Sequence, residues 1–312
     1  MHVESTQLRR VRELSLSPTA FRRVALASAI MLWLIVGSGA AVRLTGSGLG
    51  CEHWPGCTAG DPFPSSGYHS FIEFSNRIVA FITIVTTLVA WLASRRTPGL
   101  LHGDRLLALG VFLGTLAQAP LGYVTVKLHL HPLIVMTHLL LSVVVLAGGV
   151  VLLVEALRLE LGSVPPLVPL RLRRVGLVFA AAAAVLLVSG TFVTAAGPHS
   201  GGEHVRRFGS FGPAVQTHAY LAAVFTACFV WLLASLSSRR ERAPRLYRLA
   251  LLLAGLLAVQ IVVGEVQYRT HLPWGLVLVH VFLAAGIWAL IVGLVTLLHR
   301  PVAWLDPATR ID

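Results

Sequence analysis

Three histidines stand inside stretches that are otherwise apolar: His138, His218 and His280. An ionisable residue at membrane depth is costly, and is a functional candidate by default. Two neutral imidazoles facing each other across a helical bundle can provide both axial ligands of a haem iron. A tetrahedral zinc site asks for more, and no cysteine or carboxylate on these stretches completes a set of four. Taken singly, each histidine also fits a helix–helix hydrogen bond.

A second polar group stands at the mouth of another apolar run, in F-I-E-F-S-N-R (71–77). On a helix, Glu73 shares a face with Asn76 (i, i+3) and Arg77 (i, i+4). A carboxylate beside an open haem face is a place for proton-coupled chemistry. The alternative is an interfacial Glu73–Arg77 ion pair, which contributes little. His69 lies on the same stripe.

The histidines are related by an internal repeat. L-G-Y-V-T-V-K-L-H-L-H-P-L-I-V-M-T-H (121–138) aligns without a gap on V-G-E-V-Q-Y-R-T-H-L-P-W-G-L-V-L-V-H (263–280), at the 142-residue spacing that separates His138 from His280. The same spacing carries Gln118 onto Gln260, Gly122 onto Gly264, Lys127 onto Arg269, His129 onto His271 and Asn76 onto His218. Position 73 is glutamate in the first copy and its counterpart, position 215, is valine. The second copy therefore offers a closed pair, His218 and His280, suited to electron transfer. The first offers His138 opposite Asn76, a poor iron ligand, and so a more open face. Lys127 and Arg269, at the edge of their spans, either pair with haem propionates or snorkel to the interface. His129 and His271 share that edge, suited to hydrogen bonding with propionates or water. Upstream, R-L-T-G-S-G-L-G (43–50) answers F-V-T-A-A-G-P-H (192–199) in a shifted register, at the 149 residues between Thr45 and Thr194.

The elements that carry these residues are transmembrane helices. The chain of 312 residues is 56% hydrophobic and 12% charged, against about 25% charged in soluble domains. Eight apolar runs approach the ~20 residues that cross a bilayer: about 24–42, 78–94, 106–126, 133–157, 175–196, 215–236, 249–266 and 274–298. The expected fold is all-α and polytopic, with eight helices as two parallel-repeat four-helix bundles. Its parts are an arm (1–23), a first half (24–157), a linker (158–174), a second half (175–298) and a tail (299–312). The net charge of +12 does not point to nucleic acid. Its arginines cluster around positions 9–23, 95–105, 158–174, 239–248 and 300–310, on alternate sides of the spans. That places both termini and these loops in the cytoplasm, where they can meet anionic lipid head groups. Cys51 and Cys57 then lie in an external, oxidising loop where a disulfide is plausible. Cys228 lies in a span as a small hydrophobe.

The chain resembles the haem A synthase family over almost its whole length. The resemblance is carried by L-T-G-S-G-L-G-C-E-H-W-P-G-C (44–57), H-S-F-I-E-F-S-N-R (69–77), M-T-H-L-L-L (136–141), G-P-H-S-G (197–201), Q-T-H-A-Y-L (216–221) and V-H-V-F-L-A (279–284). It implies oxidation of the C8 methyl of haem O to a formyl group with oxygen from water, in a bacterial plasma membrane. It implies a resident haem b between His218 and His280, substrate haem beside His138, a catalytic Glu73 and support for a Cys51–Cys57 pair. The family pattern E-x-x-H-R reads E-F-S-N-R here, so Asn76 replaces an expected axial ligand. Haem O synthase would be the natural donor of substrate and a membrane quinone the electron acceptor. Two other readings remain at this point: a b-type cytochrome that only carries electrons to or from quinone, and a transporter with a histidine proton relay.

Overall fold

The computed structural model describes residues 15–54, 56–61, 63–64, 67–199, 205 and 207–308. Most of the expected N-terminal arm, with Arg9, Arg10 and Arg12, and the end of the tail, with Arg310, lie outside the described residues. Eight helices are long and apolar enough to cross a membrane: α1 Pro18–Leu44, α2 Tyr68–Arg96, α3 His102–Lys127, α4 Pro132–Leu161, α5 Leu170–Ala196, α6 Phe211–Ser237, α7 Pro244–Arg269 and α8 Trp274–His299. The protein is all-helical, with no strand among the described residues.

Each helix runs past its apolar core, because its polar ends lie beyond the hydrocarbon. The difference is largest at α2, which starts at Tyr68. Glu73, Asn76 and Arg77 therefore lie within the helix. Starts are marked by local chemistry. Ser17 accepts the Ala20 N–H at 3.2 Å ahead of Pro18, an N-cap followed by proline at the first helical position. Asp104 accepts the Leu101 N–H at 3.0 Å. Pro132 and Pro244 open α4 and α7.

Helix α1 packs on α2 and α4, and α3 completes the circuit between α2 and α4. In the same order α5 packs on α6 and α8, and α7 on α6 and α8. The two groups meet where α1 and α4 lie against α8 and α4 against α5. In lipid, helices associate through close packing and interhelical hydrogen bonds rather than water exclusion, and this seam shows both. Trp33 of α1 stacks on Phe282 of α8, with ring centroids 4.0 Å apart, and its indole N–H donates to the Phe282 carbonyl at 3.1 Å. Trp288 of α8 donates to the Val143 carbonyl of α4 at 3.0 Å. Gly37 makes the seam possible, because a Cβ there would sit 2.4 Å from the Phe282 ring.

The arginine-rich end is latched by polar contacts. Glu155 of α4 is buried and accepts from Arg158 at 2.5 Å and Arg300 at 2.8 Å. Arg22 pairs with Glu160. Beyond α8, Val302 forms an isolated β-bridge with Ser163 of the α4–α5 connection, and Ala303 N–H donates to the Gly162 carbonyl at 2.9 Å.

The core is unevenly distributed. In the second group, Phe179 stacks on Phe225 at 5.0 Å, and Leu232, Leu246, Leu253, Ile291 and Leu298 are almost wholly buried. These residues fill the end of the group nearer the arginine clusters. The histidines lie towards the other end.

Candidate functional site

His138, His218 and His280 sit in matched settings. On α6, His218 Nδ1 is 2.8 Å from Ser189 Oγ of α5. The single Ser189 hydroxyl proton is engaged by the Leu186 carbonyl at 2.7 Å. Its oxygen must then accept, so His218 carries its proton on Nδ1 and presents a bare lone pair at Nε2. Gly190 makes room for the ring, since a Cβ there would lie 3.3 Å from His218 Cε1. On α8, His280 packs against Gly264 of α7, where a Cβ would lie 3.1 Å from its Cε1, and Gln260 donates to the His280 carbonyl at 3.1 Å. On α4, His138 packs against Gly122 of α3, with the corresponding distance 3.6 Å, and Gln118 Nε2 lies 3.4 Å from the His138 carbonyl.

Asn76 occupies the remaining position. Ser38 Oγ donates to Asn76 Oδ1 at 2.8 Å, and Gly39 faces the same side chain. Ser38–Gly39 thus stands to Asn76 as Ser189–Gly190 stands to His218. This corrects the upstream register: α1 and α5 correspond at the 151 residues between Ser38 and Ser189, not at the spacing suggested by Thr45 and Thr194. The threonines misled because Thr45 follows the end of α1 whereas Thr194 still lies within α5, so pairing them slips the two helices out of register.

His218 and His280 line one cavity of about 1420 Å³ in the second group. That exceeds the ~300–1,000 Å³ of ordinary small-molecule pockets. Its walls are mostly apolar, from Leu186, Ala219, Ala222, Ala223 and Ile261 among others. Its polar groups include Arg43, His199, Gln216 and Glu265 near the helix ends away from the arginine clusters. His280 Nδ1 and Gln260 Oε1 are buried without a hydrogen-bond partner among the described residues, as are His138 Nδ1 and Gln118 Oε1. An imidazole retained for helix packing would be satisfied. An unpaired histidine and one whose Nε2 is bare, lining one large and mostly apolar cavity, are a set of donors that could hold a haem iron.

Glu73 is buried and both its oxygens are used. Oε2 accepts the Cys51 N–H at 2.9 Å, and Oε1 meets Arg77 Nη2 at 2.6 Å. Arg77 also donates to the His53 carbonyl at 2.8 Å and to that of Gly56. Cys51 and Cys57 are disulfide-bonded and buried. The carboxylate and guanidinium thus hold the disulfide loop down on α2. Gly50 fits that approach, because a Cβ would come within 2.6 Å of the His69 backbone. His69 lies within α2, its Nδ1 2.9 Å from Ser47 Oγ.

The edge cations do not sit alike. Arg269 is exposed and bonds Glu265 at 2.5 Å. Lys127 is exposed and has no ion pair among the described residues. His129 and Leu130, and their counterparts His271 and Leu272, have positive φ, from 49° to 63°. These paired left-handed residues close α3 and α7. Leu130 N–H reaches back to Thr125 and Leu272 N–H to Gln267, at 2.8 and 2.7 Å. The backbones of the two histidines therefore take part in ending their helices.

Sequence reading passed over Ser38, Ser189 and Arg43 as site residues. The serines carried a signal, the paired Ser-Gly dipeptides. Arg43 carried another: it is an arginine at the end of a span opposite the arginine clusters.

Comparison with known proteins follows the same pattern. The chain is 27% identical over 300 residues to the haem A synthase of Shewanella oneidensis, covering 79% of this chain and 87% of that protein. It is 33% identical over 143 residues to the haem A synthase of Bacillus pumilus, covering 44% of this chain and 46% of that protein. With that of Bacillus licheniformis it shares 34% identity over 134 residues, 43% of each chain. The COX15-CtaA profile, described as cytochrome oxidase assembly protein, matches residues 22–67 and 65–292. A multi-pass membrane protein with these matches along nearly all its length belongs to the COX15-CtaA family of cytochrome oxidase assembly proteins, the family of the haem A synthases.

Proposed function

We propose that the protein is a haem A synthase that oxidises the C8 methyl of haem O to a formyl group. The observation that carries this reading is the asymmetry of the two groups: His218 and His280 share one large cavity, whereas His138 is matched by Asn76. Two electron-carrier sites would not need that difference.

In this reading helices α1–α4 take haem O beside His138, and α5–α8 hold haem b. His218 and His280 are its ligands, and Ser189 fixes the His218 tautomer. Haem b supplies one-electron transfer. Converting CH3 and H2O to CHO releases four protons and four electrons, which two membrane quinones can accept. Asn76, tied to Ser38, leaves one face of the substrate iron without a histidine. Glu73 takes up a proton from the reacting methyl side as electrons leave. For that, an oxygen now held by Cys51 N–H or Arg77 has to be released, so the disulfide loop and the carboxylate act together. Arg77 keeps the carboxylate oriented.

The arginine clusters support a topology with both termini and the even-numbered connections in the cytoplasm and the disulfide loop outside, where oxidation is favoured. Haem O then arrives within the membrane, with hand-over from haem O synthase. The test is co-expression with a haem O synthase, followed by haem extraction and chromatography. Haem A above a no-protein control is expected. Haem B alone, with haem O untouched, would refute the synthase and favour the b-type cytochrome.

A further inference from the structure

We propose that Arg43, on α1 of the first group, is the anion anchor of the cavity in the second group, and that it meets the carboxylates of the molecule bound there. Arg43 is one turn or less from the end of α1 and lines the cavity that His218 and His280 line. Its guanidinium donates to the carbonyl of Thr194, on α5. In the register set by Ser38 and Ser189, Thr194 is Arg43's own counterpart. The cation therefore reaches across the seam and has no equivalent reaching back.

No carboxylate lies within ion-pair distance of Arg43 among the described residues. A guanidinium has five N–H donors, and one neutral carbonyl leaves most of them for another partner. A charged group taken out of water is expensive unless paired, and an arginine inside a span marks a ligand or ion site by default. Its place is also opposite to the arginine clusters, so topology does not account for it.

The other candidates are engaged. Glu265 bonds Arg269, which is exposed and is not among the cavity-lining residues. His199 Nε2 is 2.7 Å from the Leu272 carbonyl. The chemistry that satisfies Arg43 is a carboxylate on a molecule otherwise apolar enough to fill walls of leucine, alanine and isoleucine. Forked guanidinium–carboxylate pairing suits arginine better than lysine. This rests on the haem reading above, in which the carboxylates are propionates. It implies that the second group is incomplete without the first.

The test uses full-length protein purified with its haem. Wild type, Arg43→Gln and Arg43→Lys are compared by low-spin absorption spectrum, by midpoint potential and by the rate at which apomyoglobin extracts the haem. Removing a cation near the haem favours the ferric form, so the Gln variant should show a lower potential and extraction faster by about tenfold or more. The Lys variant should keep most of the potential while losing haem faster than wild type. Equal potential and equal extraction in wild type and Gln would overturn the proposal. So would a Lys variant as impaired in potential as Gln, since packing rather than charge would then be at stake. Should the Gln protein not fold, the Lys comparison with wild type decides: an unchanged extraction rate overturns. A wild type without any low-spin haem is a different result, because it refutes the haem reading itself.

Discussion

Replacing Glu73 by glutamine separates two roles that the structure places on one carboxylate. Glu73 is 4% exposed, and its partners are Cys51 N–H at 2.9 Å and Arg77 at 2.6 Å. The amide oxygen of glutamine can still accept from Cys51, but its NH2 would face the Arg77 donors. Breaking a buried pair costs ~3–5 kcal/mol when the remaining charge is stranded. Arg77 is not stranded, because it keeps the carbonyls of His53 and Gly56. The loss is then nearer one charged hydrogen bond, about 2 kcal/mol, felt as easier opening of the disulfide loop. That raises the open population about thirtyfold but leaves a well-closed loop mostly closed, so turnover should fall by less than about twofold on this account. Loss of a proton acceptor in the chemical step costs ~10²–10⁴-fold. The assay is single-turnover formyl formation, with the haem b spectrum and hydrogen exchange at the Cys51 amide measured on the same sample. Formyl formation lost by about 100-fold or more, with haem b intact and Cys51 still protected, is expected. Formation above about a tenth of the normal rate, with Cys51 protected, would refute a chemical role for Glu73.

Ser189→Ala removes the acceptor that holds the His218 proton on Nδ1. Haem b should bind about 10–100-fold more weakly, read by titration of the low-spin band, and unchanged binding would detach Ser189 from the site. Asn76→His places an imidazole where Ser38 and Gly39 stand as Ser189 and Gly190 do at His218. It should give a second low-spin haem per chain and slow formyl formation; a haem content equal to wild type would show that the two settings are not equivalent. Gly50→Ala drives a Cβ to within 2.6 Å of the His69 carbonyl. It should cost ~1–3 kcal/mol of local stability, seen as faster reduction of the Cys51–Cys57 bond by a mild thiol, whereas an unchanged reduction rate would mean that the loop does not need this contact.

The helices were legible because a bilayer demands long apolar runs and nothing else in the chain is so long. The matched histidines were legible because the α3–α4 connection and its copy at α7–α8 have the same length, which keeps one spacing from Gln118 to His138. The register of α1 was not. It depends on which residue of α1 faces Asn76, and the similarity of Thr45, just past α1, to Thr194, within α5, suggested a different alignment. The engagement of Glu73 was half legible: helical spacing brings Arg77 to it, but the Cys51 amide arrives from a loop whose path no periodicity describes. Arg269 and Lys127 matched in sequence and differ in surroundings, because Glu265 has tyrosine, Tyr123, as its counterpart in the first copy. The reach of Arg43 into the other group follows only from how α1 and α4 lie against α8, and α4 against α5.

The contacts beyond α8 bear on the order in which the molecule is made. A chain synthesised from its N-terminus can assemble α1 to α4 before α8 exists. Until then Trp33 and Gly37 face whatever lies beside α1, with no Phe282 to receive them. The pairing of Arg300 with Glu155 and of Val302 with Ser163 can form only after α8 has been inserted. The early half thus waits, with its side of the seam ready, and residues synthesised after α8 fasten the two halves together. A nascent chain halted just after His299 would hold α1 to α8 and still lack these contacts.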